Sequence, residues 1–260
     1  MRRNNKTSFI SLRYISLTFA IAFGLITIAA TGGGHGGGAN DNTLQDLGYV
    51  EIREYEGQDL SSINDFRENS ILGPQYVDQE SYRLVITGLV ETPTDYSYED
   101  VVDNFDHYTK VTTLHCVEGW SVKLLWEGFL VRDVIAGAGP LLDDAKVIIF
   151  HAHDGYTTSF PIEYVMQRDI IMAYKMNAVT LPPERGFPFQ LVAEDKWGYK
   201  WIKWITKIEL SDREDYLGYW ESYGYSNDGS LADCSPGPIS DQPSWHPERI
   251  DCCTCHSANE

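Results

Sequence analysis

Residues 114–121 of the chain are LHCVEGWS, and the first four of them are the end of a segment, KVTTLHCV, that begins at residue 110. The residue pattern over 110–117 predicts a β-strand with Cys116 at its end. Further strands are predicted at 82–90, 146–151, 170–175 and 201–210, and short helices at 98–105, 131–138 and 162–167. Strands and short helices mixed in this way, without internal repeats, predict an α+β domain.

Composition excludes several classes of protein. The 260 residues (29.4 kDa) are 43% hydrophobic, which is enough for a buried core and too much for a disordered chain. The chain has 38 acidic and 20 basic residues and a formal net charge of -18. This charge has the wrong sign for binding phosphates, so no nucleic acid is expected among the partners.

The N-terminal region has the pattern of an export sequence. An apolar run over residues 14–30 follows four basic residues, Arg2, Arg3, Lys6 and Arg13, and no acidic residue occurs before Asp41. Residues 1–31 are therefore predicted to be a signal peptide or an N-terminal membrane anchor. Residues 32–72, which begin with a glycine-rich run, are predicted to form a tether and irregular lead-in. We expect an extracytoplasmic location, periplasmic or on the outer face of the membrane.

The globular part is predicted to start near Tyr82, within a domain assigned to residues 73–212. Its last strand is the alternating segment 201–210. Residues 213–260 show little periodicity and are predicted to be an irregular tail that ends in a cysteine cluster. No nucleotide-binding glycine motif, nucleophile elbow or zinc-protease motif is present in the sequence.

The cysteine count singles out one residue. There are five cysteines, and four of them are in the tail, at Cys234, Cys252, Cys253 and Cys255. An odd number in an exported protein leaves at least one outside any internal disulfide, and Cys116 is far in sequence from the rest. From this observation alone, Cys116 is either a small buried hydrophobic residue or a functional thiol.

Five segments in order decide between these alternatives: LHCVEGWS at 114–121, WEGFLVRDVI at 126–135, DGYTTSFPIE at 154–163, LPPERGFPFQLV at 181–192 and WGYKWIKWITKIEL at 197–210. In this order and at similar spacings, they resemble the sulfite oxidase-like molybdopterin oxidoreductases. The resemblance covers about residues 82–210 and is closest to the branch that contains the catalytic subunit of the periplasmic methionine-sulfoxide reductase. It implies a sulfite oxidase-type molybdopterin-binding fold, with mixed β-sheets and short helices.

The resemblance implies that Cys116 gives its thiolate to molybdenum, beside the two sulfurs of one molybdopterin. A soft thiolate suits such a metal, and coordination keeps the thiol ionised. His115, Glu118 and Trp120 would orient the ligand and tune the metal. Alternatively, Glu118 is an ordinary surface carboxylate. Tyr156 either lines the pocket as a third catalytic residue, with Cys116 and Glu118, or is a turn tyrosine.

The resemblance also suggests which residues bind the cofactor: Asn69, His115, Cys116, Arg185, Lys200, Trp201, Ile202 and Lys203. Cationic side chains among them suit the phosphate of molybdopterin, which is costly to bury without a partner. Alternatively, the lysines form the solvated face of the last strand.

Two positions depart from the family pattern. Family members often have an arginine where this chain has Gln190, which puts part of the phosphate contact in doubt unless Arg185 replaces it. Ala152 occupies the position of a cofactor-binding threonine in the sulfoxide-reductase branch. Its neighbours His151 and His153 are interpreted as core or turn residues, since no third ligand is spaced with them.

The tail contains the pattern C-x-x-C-H, formed by Cys252, Cys255 and His256. This is the attachment motif of c-type haem, in which two thioethers hold the porphyrin and the histidine binds iron. The alternatives are disulfides between Cys234 and the terminal cysteines, or adventitious metal binding by His246 and His256.

These observations predict an exported molybdenum–molybdopterin oxidoreductase that performs two-electron oxygen-atom transfer. The resemblance favours reduction of a neutral S- or N-oxide, small or protein-bound, over sulfite oxidation. Sulfite oxidases have arginines near the ligand cysteine that would hold an anion, whereas this chain has Glu118 and a strongly negative net charge. An external electron-transfer partner, such as a membrane haem protein, is expected. The alternative is a family-derived domain without molybdenum that acts as a c-type haem electron carrier or a binding module.

Overall fold

A computed structural model describes residues 50–232 of the chain. Its strands are β1 Glu54–Tyr55, β2 Gln58–Asp59, β3 Leu84–Gly88, β4 Thr94–Tyr96, β5 Tyr108–His115, β6 Ser121–Leu130, β7 Val147–Ala152, β8 Thr157–Pro161, β9 Ile171–Met176, β10 Val179–Thr180, β11 Gln190–Val192 and β12 Ile205–Ser211. The α-helices are α1 Tyr98–Asn104, α2 Val131–Ala136, α3 Ile162–Met166 and α4 Tyr219–Ser222. Single 3-10 turns span Ile63–Asp65, Pro183–Arg185 and Gly198–Lys200.

Two five-stranded sheets organise the described residues. The first has the order β10-β9-β6-β5, with β11 also paired to β9, and all of its pairs are antiparallel. The second has the order β4-β3-β12-β7-β8 and is mixed, because β3 and β12 run parallel. Mixed sheets with short helices confirm the predicted α+β architecture.

Apolar side chains from both sheets form one core. Trp126 and Phe129 of β6, Phe150 of β7 and Ile208 of β12 are fully or almost fully buried within it. Removal of such large side chains from water is the main favourable contribution to folding. This core fixes the strand ends from which the site residues project.

The predicted elements are present, with two differences at the ends of the domain. The last strand begins at Ile205 and not at Trp201, because Trp204 has a φ of 52° and interrupts the extended backbone. Lys203 therefore precedes the strand. The core also begins earlier than Tyr82, since Leu60 and Phe66 are buried; these isolated apolar residues in irregular backbone show no periodicity in the sequence.

The sequence did not predict β6, the longest strand. Its burial pattern shows mostly buried residues on both faces, which removes the polar alternation that marks a half-buried strand. β5 is paired with β6 along the whole length of β5, from Tyr108 opposite Gly128 to His115 opposite Ser121. The turn between the two strands carries Cys116.

Candidate metal and cofactor site

Cys116 begins the turn between β5 and β6. Its backbone N–H donates to the carbonyl of Trp120 at 2.9 Å, and the N–H of Gly119 donates to the carbonyl of Cys116 at 3.0 Å. Gly119 has a φ of 83°, a conformation that glycine adopts without steric cost. The turn therefore holds Cys116 in one place at the end of a rigid strand pair.

The Cys116 thiol is almost completely buried, with 7% of the residue exposed. Burial raises its pKa to about 11, since water no longer stabilises the thiolate, and the nearby Glu118 carboxylate adds to the rise. The backbone N–H of Glu118, the charge of Arg67 and the side chain of Asn69 oppose it. Without a metal, the sulfur is thus a neutral thiol with hydrogen-bonding groups around it.

Asn69, Glu118 and Trp120 form a hydrogen-bonded group beside this sulfur. The Asn69 amide donates to Glu118 Oε1 at 3.0 Å, and the Trp120 indole N–H donates toward Glu118 Oε2 at 3.3 Å. The Glu118 residue itself is exposed. The structure therefore brings together Asn69, Cys116 and Glu118, as expected from the sequence, with a negative charge at the outer edge.

Basic residues lie on another side of the group. The Arg185 guanidinium stacks over the Phe66 ring at 5.3 Å, and Phe66 contacts the Trp120 ring at 5.8 Å. Lys203 Nζ is 3.1 Å from Glu68 Oε1, and only 10% of the Lys203 side chain is exposed. Burial lowers the pKa of Lys203, the charge of Arg185 lowers it further, and Glu68 opposes both. Two buried cations close enough to interact form a suitable place for an anionic group.

Gln190, the first residue of β11, lies next to these cations. A Cβ built on Gly186 would lie 3.2 Å from the Gln190 Cβ and 3.1 Å from the Lys203 Cβ, so the side chains of Gln190 and Lys203 both begin close to Gly186. Gln190 is fully buried, and neither its amide nitrogen nor its amide oxygen has a hydrogen-bond partner among the described residues. An unpaired buried amide is destabilising, so this group fits a polar ligand that supplies a donor and an acceptor.

Two more buried polar atoms near Cys116 lack hydrogen-bond partners within residues 50–232: Ser70 Oγ and the Trp197 indole nitrogen. Ser70 follows Asn69, and Trp197 forms a parallel bridge with His115. One thiol, unpartnered polar groups and a pair of cations together fit a metal bound by one cysteine whose other ligands come from a phosphorylated polar cofactor. The described chain contains no cluster of three or more His, Cys, Asp or Glu residues that could hold a metal by itself.

The Lys200 ammonium group has structural partners within the fold. Its ammonium group donates to Glu221 Oε1 at 2.6 Å, to the Ser159 carbonyl at 2.8 Å and to the Asn227 carbonyl at 2.9 Å. All three protons thus have acceptors within the protein, and any cofactor contact of Lys200 stays a prediction. The alternative of a solvated strand face is wrong, because Lys200 is 0% exposed and Lys203 is off the strand.

Trp201 and Ile202 likewise make contacts within the fold. The Trp201 indole donates to the Lys196 carbonyl at 2.9 Å, and the Ile202 carbonyl accepts from the N–H of Leu191 at 2.9 Å. Both side chains are buried. Any cofactor contact of these two residues stays a prediction.

Tyr156, His151 and His153 have structural partners. The Tyr156 hydroxyl donates to the Tyr199 carbonyl at 2.5 Å, and a catalytic role of Tyr156 stays a prediction. The His151 ring is 3.0 Å from Glu209 Oε2, and the His153 N–H donates to the Trp204 carbonyl. Ala152, between them, is buried.

The tail cysteines, His246, His256 and the N-terminal apolar run lie outside the described residues. The predictions of haem attachment, tail disulfides and an export sequence therefore stay predictions. Within residues 50–232, no helix is long and apolar enough to cross a membrane.

Sequence reasoning missed Gly198 and Arg67. A Cβ on Gly198 would lie 3.2 Å from the His115 carbonyl oxygen and 3.4 Å from the Cys116 Cα, so the chain passes very close to the cysteine here. The only sequence signal was a glycine within the segment at 197–210. Arg67 is close enough for its charge to affect the pKa of Cys116, which nothing in the local pattern indicated.

Comparison with known proteins gives a consistent family match. Residues 72–220 match the family described as oxidoreductase molybdopterin binding domain. The uncharacterized oxidoreductase YuiH of Bacillus subtilis (strain 168) is 35% identical over 153 residues, which are 58% of this chain and 76% of that protein. The protein-methionine-sulfoxide reductase catalytic subunit MsrP of Campylobacter jejuni is 30% identical over 187 residues, which are 66% of this chain and 62% of that protein.

Two further matches support the same similarity. The putative protein-methionine-sulfoxide reductase subunit YedZ1 of Azospira oryzae is 31% identical over 150 residues, or 58% of this chain and 56% of that protein. Among solved structures, the sulfane dehydrogenase SoxCD from Paracoccus pantotrophus is similar with a TM-score of 0.51 and 26% identity, over 54% of this chain and 40% of that chain. The match thus spans less than two thirds of both proteins and of the Campylobacter jejuni MsrP.

Proposed function

The chain belongs to the sulfite oxidase-like molybdopterin-binding oxidoreductases, and from this premise we propose that it reduces neutral S-oxides or N-oxides outside the cytoplasm. The observation that carries the substrate assignment is the Glu118 carboxylate, held by Asn69 and Trp120 beside the buried Cys116 thiol. A fixed negative charge at this place repels anions such as sulfite more than a neutral oxide. The similarity to methionine-sulfoxide reductase subunits supports the same direction of reaction.

The molybdenum cofactor, when bound, supplies two-electron oxygen-atom transfer. The chain contributes the ligand Cys116, whose thiol loses its proton when a metal binds. Arg185 and Lys203 offer positive charge to a phosphate, and the Gln190 amide offers a donor and an acceptor to a polar edge of the cofactor. Asn69 hydrogen bonds the sulfur and keeps the Glu118 carboxylate in place.

Reduction of an S-oxide or N-oxide consumes two electrons and two protons and releases one water. Glu118 is exposed and close to Cys116, so it is placed to pass protons from solvent toward the reacting oxygen. Electrons come one at a time from an external carrier, a further part of this proposal.

An extracytoplasmic location is also part of the proposal, and the basic and apolar residues before Asp41 support it. We include a c-type haem at Cys252, Cys255 and His256 as a testable addition, because the motif is compatible with an oxidising compartment. The location is tested by adding protease to cells whose cytoplasmic membrane is intact and whose outer envelope is permeabilised. An extracytoplasmic protein is expected to be digested under these conditions.

The deciding experiment is elemental analysis for molybdenum and iron, with an absorption spectrum, on protein from a host that makes molybdopterin and matures c-type cytochromes. About one molybdenum per chain is expected, as one ligand cysteine implies. Iron together with a haem Soret band would support a c-type haem in the tail that passes electrons to the molybdenum site. Protein that contains no molybdenum under these conditions would instead support the alternative of a domain that only carries electrons or binds a partner, for which the departure from the family pattern at Ala152 is the remaining motivation.

Substrate direction is tested with the molybdenum-loaded protein. Reduced benzyl viologen as the electron donor should support reduction of methyl p-tolyl sulfoxide or trimethylamine N-oxide, whereas sulfite with ferricyanide as the acceptor should turn over poorly. Cys116→Ser should retain pterin but lose turnover in both assays. Faster turnover of sulfite than of either oxide would reverse the proposed direction.

A further inference from the structure

The segment from Tyr216 to Leu231, here called the strap, lies against the loop formed by residues 195–200. Backbone hydrogen bonds join the two: Trp197 N–H donates to the Gly229 carbonyl, and Leu231 N–H donates to the Asp195 carbonyl, both at 2.9 Å. Lys196 and Ser230 form a bridge between them. The strap thus continues the paired backbone beyond the last strand of the domain.

Side chains of the loop strengthen this attachment. The Tyr199 hydroxyl donates to the Ser226 carbonyl at 2.7 Å, and Lys196 Nζ lies 2.7 Å from Asp228. The Lys200–Glu221 ion pair, in which both side chains are 0% exposed, joins the loop to α4 of the strap. The Thr158 hydroxyl also donates to Glu221 at 2.7 Å, so β8 is tied to the same carboxylate.

The opposite side of the loop faces the turn that carries Cys116. Trp197 forms a parallel bridge with His115, and Gly198 approaches the Cys116 backbone closely enough that a Cβ there would lie 3.4 Å from the Cys116 Cα. The loop is therefore held between the strap on one side and the Cys116 turn on the other. Trp197 and Gly198 therefore connect the strap to the Cys116 turn.

We propose that the strap is a positioning element for Cys116, and that the buried Lys200–Glu221 pair acts as its lock. In this proposal the Lys200 ammonium acts indirectly, by fixing the loop that lies against the Cys116 turn. The relevance of Cys116 to a metal rests on the proposed function. The link between the strap and the position of Cys116 does not rest on the proposed function, so the positioning role and the proposed function are tested separately.

The first test uses the metal-free full-length protein and the accessibility of Cys116. Glu221→Gln keeps the shape of the side chain but removes the charge that Lys200 needs. We expect iodoacetamide to modify Cys116 about tenfold faster in this variant, because weaker attachment of the loop opens the turn more often. Peptide mass spectrometry distinguishes Cys116 from the tail cysteines.

Glu127→Gln is the matched control. Glu127 also accepts hydrogen bonds from a lysine and a hydroxyl, those of Lys175 and Tyr174, but it pairs with Thr109 at the other end of β5. With denaturant adjusted so that both variants have equal stability, only Glu221→Gln should expose Cys116. Equal modification of Cys116 in the two variants would show that the strap contributes general stability only, and would overturn the proposal.

A second variant keeps the test valid if Glu221→Gln does not fold. Gly198→Ala adds one methyl group 3.2 Å from the His115 carbonyl, so the loop or the turn has to shift by a few tenths of an ångström. In molybdenum-loaded protein we expect an altered Mo(V) electron paramagnetic resonance spectrum at unchanged molybdenum content. An unchanged spectrum would contradict the positioning role, whereas wild-type protein without molybdenum would contradict only the proposed function, since the alkylation test still applies.

Discussion

Two buried polar regions of this molecule differ in how completely the fold satisfies them. Around Lys200 and Glu221, every ammonium proton has an acceptor, and only Glu221 Oε2 lacks a partner. Around Gln190, a complete side-chain amide is buried with no hydrogen bond from the described chain. Buried polar groups are normally paired, so the first region is a structural lock and the second is a place for a ligand.

The largest expected effect concerns the satisfied region. Lys200→Met leaves the Glu221 charge buried without its partner and should lower the free energy of unfolding by about 3–5 kcal/mol. The double variant Lys200→Met/Glu221→Leu should regain most of this loss, because apolar residues can replace a buried ion pair. Urea denaturation of the metal-free protein measures both. Lys207→Met, which removes a more exposed partner of Glu209, should cost under about 1 kcal/mol; a loss as large as that of Lys200→Met would refute the distinction.

The thiol of the ligand region gives the next effect. Since burial raises the pKa of Cys116 to about 11, the thiolate fraction in metal-free protein is small at neutral pH and increases as the pH approaches that value. Alkylation of Cys116 should therefore accelerate about tenfold per pH unit between pH 8 and pH 10. Reaction rates across this range, followed by peptide mass spectrometry, test this. A rate that levels off near pH 9 would mean that Cys116 titrates like an exposed cysteine.

Gln190 provides the sharpest contrast between the two regions. Gln190→Leu has a similar volume and removes the unpaired amide, so the metal-free protein should become more stable by about 1–2 kcal/mol. Molybdenum and pterin content per chain should fall in the same variant. Denaturation and elemental analysis together provide the measurement. If stability decreases and cofactor content is unchanged, the amide has a partner in the protein and is not a ligand group.

The smallest effect concerns Glu118 at the outer edge of the site. Glu118→Gln removes the negative charge and retains an amide oxygen that can accept from Asn69. The KM for sulfite should decrease about threefold to tenfold at low ionic strength, with a smaller change in added salt, while the KM for a neutral sulfoxide should stay within about twofold. Steady-state kinetics at two salt concentrations decide. Equal changes for both substrates would remove charge as the basis of selectivity.

The sequence predicted the parts of this structure that depend on local pattern. The position of Cys116 at a strand end, the helix over Tyr98–Asn104 and the proximity of Asn69 to Glu118 follow from periodicity or from the family resemblance. The partners of Lys200 could not be predicted from the sequence, because Glu221 lies in a segment without periodicity and a buried ion pair leaves no local signal. β6 was missed for the reason that both of its faces are buried.

Lys200 and Lys203 show most clearly what the sequence alone cannot predict. A basic residue near a phosphate-binding segment predicts a cofactor contact equally well whether its ammonium reaches the ligand or a carboxylate elsewhere in the fold. Lys203, next to Arg185, retains the expected position, whereas Lys200 points to the strap. Only the three-dimensional distribution of acceptors separates the two.

The parallel pairing of β3 with β12 has a consequence for the order of events in the cell. These strands come from opposite ends of the domain, so the second sheet cannot close until residue 211 has been synthesised. Contacts between residues so distant in sequence form late and slow the folding of a domain. The side chains proposed to hold the cofactor are spread from Asn69 to Lys203, so they come together only in the finished polypeptide. Under the proposed function, cofactor insertion is thus a post-translational step, and a chain that acquires the cofactor before crossing a membrane has to cross it already folded.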